Sequence, residues 1–205
     1  MKKIDYKKEF KHLYNPSKKD VEIIEVPPMN YLMVDGRGDP NNSVEFQQAI
    51  EALFSVSYAL KFIIKKSEIG VDYGVMPLEG LWWSDDMGVF NRDEKDKWQW
   101  TLMIMQPDLV TGELYEIACR EISKKKEIAA LKRLRYDSYF EGRVVQIMHI
   151  GLYSQEEPTI AALHAHIEAE GYIKSGKHHE IYLSDMRRAN PKNLRTILRQ
   201  PIKEG

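Results

Sequence analysis

The chain has 205 residues, 43% of them apolar and 30% charged, with a formal net charge of -1. That balance builds a globular core and excludes a disordered chain, and with no basic excess to neutralise phosphates, nucleic acid is not an expected partner. The single cysteine, Cys119, cannot close an internal disulfide, which fits a reducing cytoplasm, and no apolar run approaches the ~20 residues that span a bilayer.

The opening stretch "MKKIDYKKEFKHLY" is charged and lacks the apolar region of a signal peptide. Residues 1–28 read as a basic, partly helical lead-in ending at Pro27-Pro28. "MNYLMVDGRGDPN" is a strand closed by a Gly/Asp/Pro/Asn turn. Its G-x-G lacks the third glycine and the setting of a nucleotide fingerprint. "NSVEFQQAIEALFSVSYALKFIIKKS" carries apolar residues at Phe46, Ile50, Leu53, Leu60 and Ile64, a helical spacing, with Asn42 and Glu45 as a variant capping box. "YGVMPLEGLWW" is a strand interrupted at Pro77, and "KWQWTLMIMQPD" is another, closed by Pro107.

Residues 108–136 give a helical stripe through Leu114, Ile117, Ala118, Ile122, Ala129 and Leu131, so one long helix or two are expected there. The earlier order then returns. "GRVVQIMHIGLYSQ" is a strand and turn, and "EPTIAALHAHIEAEGY" is a helix with Pro158 near its start and Gly171 past its end. "KHHEIYLSDMRR" and "NLRTILRQPI" are strands, the second ending in Gln-Pro as the earlier one does.

The two runs align by landmarks, Met33 with Met148, Gly36 with Gly151, Glu79 with Glu180 and Gln106-Pro107 with Gln200-Pro201. The expected fold is therefore α+β: a tandem strand–helix–strand–strand repeat forming one pseudo-twofold domain over 1–205. Module one spans about 29–107, a helical insert about 108–136, and module two about 140–203. Such units leave a cleft between them, where ligand pockets concentrate, and Glu79 and Glu180 enter it from related strands.

A carboxylate among aromatics is desolvated, which suits a base or a counter-ion for a cation. Strand alternation groups Glu79 with Leu81 and Trp83, and opposes them to Leu78, Gly80 and Trp82. That makes Trp83 the pocket candidate and Trp82 the core one. Trp98 and Trp100 share a face, and Tyr182 shares one with Glu180. Tyr73, Tyr115, Tyr153 and Tyr182 supply phenolic donors, and Met148 joins the ligand-binding set. The six histidines have no metal-ligand spacing, so no metal or other cofactor is expected. His178-His179 is a bare pair, His149 reads as a hydrogen-bonded core residue, and Cys119 as a packing residue.

The stretches "MPLEGLWW", "WTLMIMQP", "FEGRVVQIMHIGLYSQEEPTIAALH" and "GKHHEIYLSDMRRANPKNLRTILRQP" resemble the GyrI-like small-molecule-binding proteins, over essentially residues 25–203. No helix-turn-helix is apparent ahead of residue 28, so the chain looks like a stand-alone member. The one departure is "SDMRR", where the family pattern has Asp-Pro. The resemblance implies an aromatic drug pocket at the dyad with Glu180 as its central glutamate. It also implies, from some stand-alone members, hydrolysis of the cyclopropane in DNA-alkylating cyclopropanoid toxins. Three functions follow: an enzyme acting on such compounds through Glu180 or Glu79, a protein that sequesters planar or lipophilic cationic xenobiotics, or an interaction protein of the gyrase-inhibitor type. A small-molecule ligand and a monomer or weak homodimer are expected.

Overall fold

The computed structural model describes residues 2–84, 92–185 and 189–205, with only the backbone of residues 92–94. In chain order the elements are β1 (Lys2–Ile4), the one-turn helices α1 (Tyr6–Glu9) and α2 (Lys11–Tyr14), β2 (Glu22–Val26), β3 (Met29–Arg37), α3 (Val44–Lys66), β4 (Val71–Tyr73), β5 (Leu78–Trp83) and β6 (Gln99–Gln106). There follow α4 (Gly112–Lys125), β7 (Arg135–Tyr139), β8 (Gly142–Ile150), α5 (Glu157–Ala169), β9 (Tyr172–Lys174), β10 (His178–Tyr182) and β11 (Arg195–Glu204). This is the expected mixed α+β architecture, most of it one large antiparallel sheet.

The strand order is β2-β8-β11-β10-β5-β6-β3-β7, with β9 paired to the end of β11 and a separate parallel pair β1-β4. The middle of the sheet is the seam between β5 and β10. On one side of it the chain runs β3–α3–β5–β6, on the other β8–α5–β10–β11. The seam's register sets Glu180 opposite Gly80 and Ile181 opposite Glu79. Glu79 and Glu180 are therefore not cross-strand partners but one residue out of register. Because side chains alternate with a period of two, a slip of one residue exchanges the faces of the sheet. Glu79 and Glu180 stand on opposite sides.

One face carries α3 and α5. α3 begins at Ser43, whose hydroxyl accepts from the Phe46 amide, so the cap is one residue later than the expected Asn42. It buries Ala49, Leu53, Val56, Leu60 and Ile64, a stripe at helical spacing, over Leu32, Val34, Leu102 and Ile104 of the sheet, while Ala52 packs with Ile128 and Ala130. α5 buries Leu163 and Ile167 against Val145, Ile147, Leu198 and Ile202. The opposite face is closed by Leu13 and Tyr14 of α2, packed in one cluster with Tyr31, Met103, Met148, Ile181 and Ile197.

Residues 108–136 hold one helix, α4, a 3-10 turn at Ala129–Arg133 and the start of β7. β7 and β2 both extend the sheet where no strand was expected. Both are edge strands with mixed burial, so their sequences, RYDSY and EIIEV, lack the apolar runs of the interior strands. The "SDMRR" departure falls largely on residues 186–188, outside the described residues.

Candidate functional site

On the helical face a cleft of about 2060 Å³ opens between α3 and α5, floored by the β5–β10 seam. That exceeds the ~300–1,000 Å³ of an ordinary small-ligand pocket, leaving room for a polycyclic ligand. Along β10, residues two apart share a face, so His178, Glu180 and Tyr182 form a row on the floor. The Tyr182 hydroxyl donates to Glu180 Oε2 at 2.7 Å and accepts from Trp82 Nε1 at 3.1 Å. His178 Nε2 lies 3.5 Å from Glu180 Oε1. Gly80 makes this crossing possible. A Cβ there would stand 2.8 Å from Trp82 Nε1 and 3.2 Å from the Tyr182 hydroxyl.

The walls are aromatic. Trp82 stacks on Phe46 with ring centroids 6.0 Å apart and meets Trp98 edge to face at 5.7 Å. Tyr153 meets Tyr182 edge to face at 5.4 Å. Burial, then the charges of Glu156 and Glu180, push the Tyr153 phenol up to about 12, and burial with Glu180 raises Tyr182 well above its ordinary value. Both phenols therefore stay protonated and act as donors. On the α5 wall His164 is held down to about 4 by burial and by the nearby Lys174 and His178, so it is neutral at neutral pH.

Behind the seam, on the other face, lies a charged cluster sealed from water. His179 bonds Glu79 Oε2 through Nε2 at 3.0 Å and Glu141 Oε1 through Nδ1 at 3.0 Å. Tyr14 donates to Glu79 Oε1 at 2.8 Å. Arg199 donates to Glu141 Oε2 at 3.2 Å, to Gln146 Oε1 at 3.2 and 3.0 Å and to the Leu13 carbonyl at 2.8 Å. Gln146 in turn donates to the His12 carbonyl. Burial opposes a charge on His179, but Glu141 and Glu79 outweigh it and raise the imidazole to about 9. Two cations then balance two carboxylates.

These positions correct several sequence expectations. The cleft brings together Glu180, Tyr182, Trp98 and Tyr153. Glu79 is fully buried in the cluster behind it. Trp83 shares Glu79's face and carries the Lys177 ammonium 3.4 Å from its ring centroid, while Trp82, expected in the core, faces the cleft. The alternation was right, but grouping both glutamates on one side assigned the wrong member of the Trp pair. Trp100 shares the cleft face yet is covered by Phe46, edge to face at 5.1 Å, and lies over Gly36, where a Cβ would come 2.2 Å from its ring.

Tyr73 packs against Tyr6 from β4, Tyr115 donates from α4 to the Leu134 carbonyl, and Met148 lies under α2 on the opposite face. None of the three lines the cleft. His149 bonds Thr159 and the Leu152 carbonyl, and Cys119 is partly buried against the core, with its thiol raised by burial. Sequence reasoning missed His178, Trp82 and Phe46 as cleft residues. Period-two spacing from Glu180 marks His178, and Phe46 stands on the first turn of α3. Among the described residues no three His, Cys, Asp or Glu side chains form a metal-binding group, and no helix is long and apolar enough to cross a membrane.

A family model for the GyrI-like small molecule binding domain matches residues 19–203. No curated protein matches the chain. Among solved structures, an uncharacterized conserved protein from Listeria innocua is 43% identical, with a TM-score of 0.90 over 98% of this chain and 100% of its own. A protein described as a hydrolase from the same organism is 42% identical, with a TM-score of 0.85 over 98% and 100%. The C-terminal domain of EcmrR, 12% identical with a TM-score of 0.56 over 91% of this chain and 98% of its own, shares the fold. By its matched length and by these relatives, the chain belongs to the GyrI-like small-molecule-binding family.

Proposed function

We propose that the cleft takes up planar lipophilic xenobiotics and hydrolyses those that carry a cyclopropane conjugated to a dienone. The observation that carries this reading is the row Glu180–Tyr182–Trp82 on an aromatic floor. The hydrolase description of a Listeria innocua relative supports it. In such a substrate, attack on the outer cyclopropane carbon aromatises the ring, so the protein need supply little more than a placed water, a base and a donor. Glu180 takes a proton from water as the new C–O bond forms. The cyclopropane C–C bond breaks, and its electron pair passes to the dienone oxygen. That oxygen becomes a phenol on taking a proton from Tyr153, which recovers one from Glu180 through solvent. The net change is addition of H and OH. Tyr182 already spends its proton on Glu180, so it fixes the carboxylate and leaves the donor role to Tyr153. Trp82, Trp98 and Phe46 hold the flat ligand and exclude bulk water.

The test is turnover of a spiro-cyclopropyl cyclohexadienone, which opens to a hydroxyethylphenol, by the wild type and by Glu180→Gln. A positioned general base contributes about 10²–10⁴-fold, so the variant should lose that much. Full turnover in Glu180→Gln sinks the mechanism.

A second reading, sequestration of lipophilic cations, is favoured by a carboxylate standing among aromatic rings. Ethidium binding that collapses in Glu180→Gln, with no product from the dienone, would select it.

A further inference from the structure

The floor of the cleft has two ends. Tyr182 stands at one, with Tyr153 packed against it, and His178 stands at the other end of the same β10 row. At ~3.3 Å per residue that row spans roughly 13 Å, so a planar ligand can reach both ends. In the seam's register His178 lies directly opposite Trp82, and both face the cleft, so the imidazole borders the stacking surface. His178 is only 7% exposed, and its Nε2 is buried with no hydrogen-bond partner among the described residues. Glu180 Oε1, which faces it, is 3.5 Å away, past the ~2.7–3.2 Å of an N–H···O bond. A buried polar atom at the floor of a ligand cleft calls for a partner.

The surroundings decide which partner. A carboxylate beside the ring favours the tautomer with the proton on Nε2, so this nitrogen donates. Acids gather at the other end, where Glu156, Glu180 and Asp185 all act on Tyr153. Near His178 stand Lys174 of β9 and His164 of α5, the latter kept neutral by burial and then by Lys174 and His178. An oxygen acceptor matches a donor on that side of the cleft. A neutral carbonyl matches it better than a carboxylate, which Glu180 would repel.

We propose that His178 is a specificity-determining residue: its Nε2–H donates to a carbonyl oxygen on the edge of the planar ligand away from Tyr153. The inference rests on the reading that the cleft takes up planar ligands and is independent of the hydrolytic step. The preferred ligand is a flat polycycle with a ketone, ester or amide at that edge. In a hydrolytic substrate this is a second carbonyl, since the dienone oxygen is served by Tyr153. A hydrocarbon plane of the same size leaves a buried N–H unmet.

The experiment is fluorescence titration with two flat probes of matched size, 2-acetylanthracene and 2-ethylanthracene. The wild type should bind the ketone about tenfold tighter, the scale of one net hydrogen bond to a buried donor. Infrared difference spectra should show the carbonyl stretch of the bound ketone at lowered frequency. In His178→Leu the two probes should bind alike and the stretch should return to its unbonded position. His178→Gln, whose amide N–H reaches about as far as Nε2, should restore most of both effects. Anthracene-2-carboxylate should bind the wild type more weakly than the ketone. A preference for the ketone that survives in His178→Leu overturns the proposal. So does equal affinity of the two probes for the wild type, a result that needs no variant to fold. A carboxylate that outbinds the ketone overturns the choice of a neutral carbonyl. If neither anthracene binds, the reading of the cleft as a planar-ligand site falls and takes this proposal with it.

Discussion

The buried cluster behind the seam makes a quantitative prediction. His179 is held at about 9 in the fold against an ordinary value of 6.5. At ~1.4 kcal/mol per decade, that difference contributes on the order of 3 kcal/mol of stability. The folded value is the raised one, so the contribution is complete below about pH 6.5 and is lost as pH rises through about 9. Glu141 is the larger cause and Glu79 the smaller, and replacing Glu79 by Gln tests the Glu79 share. With Glu79 neutral, a neutral His179 can accept from the new amide through Nε2 and still donate to Glu141 through Nδ1. Arg199 and Glu141 remain as a balanced pair.

Glu79→Gln should therefore cost about 1–3 kcal/mol near pH 6, the scale of a lost charged hydrogen bond. It should also make the alkaline decline shallower, by the Glu79 share of the effect. Glu79→Ala cannot compensate in this way. It strands Tyr14 and leaves two cations on one carboxylate, so its cost should reach about 3–5 kcal/mol. Urea unfolding from pH 6 to pH 10 reads all three proteins, and tyrosines and lysines titrating in the background cancel in the difference. If wild type and Glu79→Gln lose stability in parallel above pH 8, Glu79 does not contribute to holding the charge on His179. Glu79→Gln should keep its ligand binding, since Glu79 faces away from the cleft.

Other outcomes follow from single contacts. Trp82→Leu should weaken binding of a planar ligand by about tenfold or more, as loss of a stacking surface does, while Trp83→Leu leaves it unchanged; equal losses in fluorescence titrations would contradict the facing of the pair. Gly80→Ala, whose methyl meets Trp82 and Tyr182, should lower affinity without unfolding the chain, as circular dichroism and calorimetric titration can establish. Gly36→Ala has no such freedom, because the Trp100 ring lies 2.2 Å from the new Cβ, and it should destabilise by at least the ~1–3 kcal/mol of an overpacked core. Ser43→Ala removes the cap of α3 and should cost about 1 kcal/mol in denaturant unfolding.

What the sequence made legible was periodicity. Helix α3 announces itself through Leu53, Leu60 and Ile64, and α5 through Pro158 and Gly171. The interior strands β6, β8 and β11 announce themselves through their apolar runs, and the family-bearing stretches lie on those elements. Edge strands were illegible, because β2 and β7 are short and mix charged residues with apolar or aromatic ones, several of which reach water. The site was half legible for a different reason. Alternation within one strand is local and came out correctly: Glu180 with Tyr182, Glu79 with Trp83. Register between two strands distant in sequence is not local. Nothing in "PLEGLWW" or "HHEIYLS" says that Glu180 meets Gly80 instead of Glu79, and that single step decides which tryptophan sees the ligand.

The register also explains why both glutamates reside on the seam with unlike neighbours. His179 and Glu180 are consecutive, so β10 carries a balanced charge cluster on one side and the cleft carboxylate on the other. The cluster ties β10 and β5 to β11 through Arg199, to β8 through Gln146, and to the lead-in through Tyr14 and the carbonyls of His12 and Leu13. A buried ionic network contributes little to stability beyond what apolar packing would give. What it does supply is geometry: with His179 bonded on both ring nitrogens, the strand has little freedom to twist, and the backbone of Glu180 is fixed next to it. A carboxylate that must meet a water and a flat ligand needs that fixity, because a displacement of ~1 Å forfeits about 10²-fold in rate. Loosening the cluster should then show first in kcat for the dienone, ahead of any change in KM. A Tyr14→Phe variant, which removes one bond to Glu79 and leaves every cleft residue in place, separates that positional effect from binding.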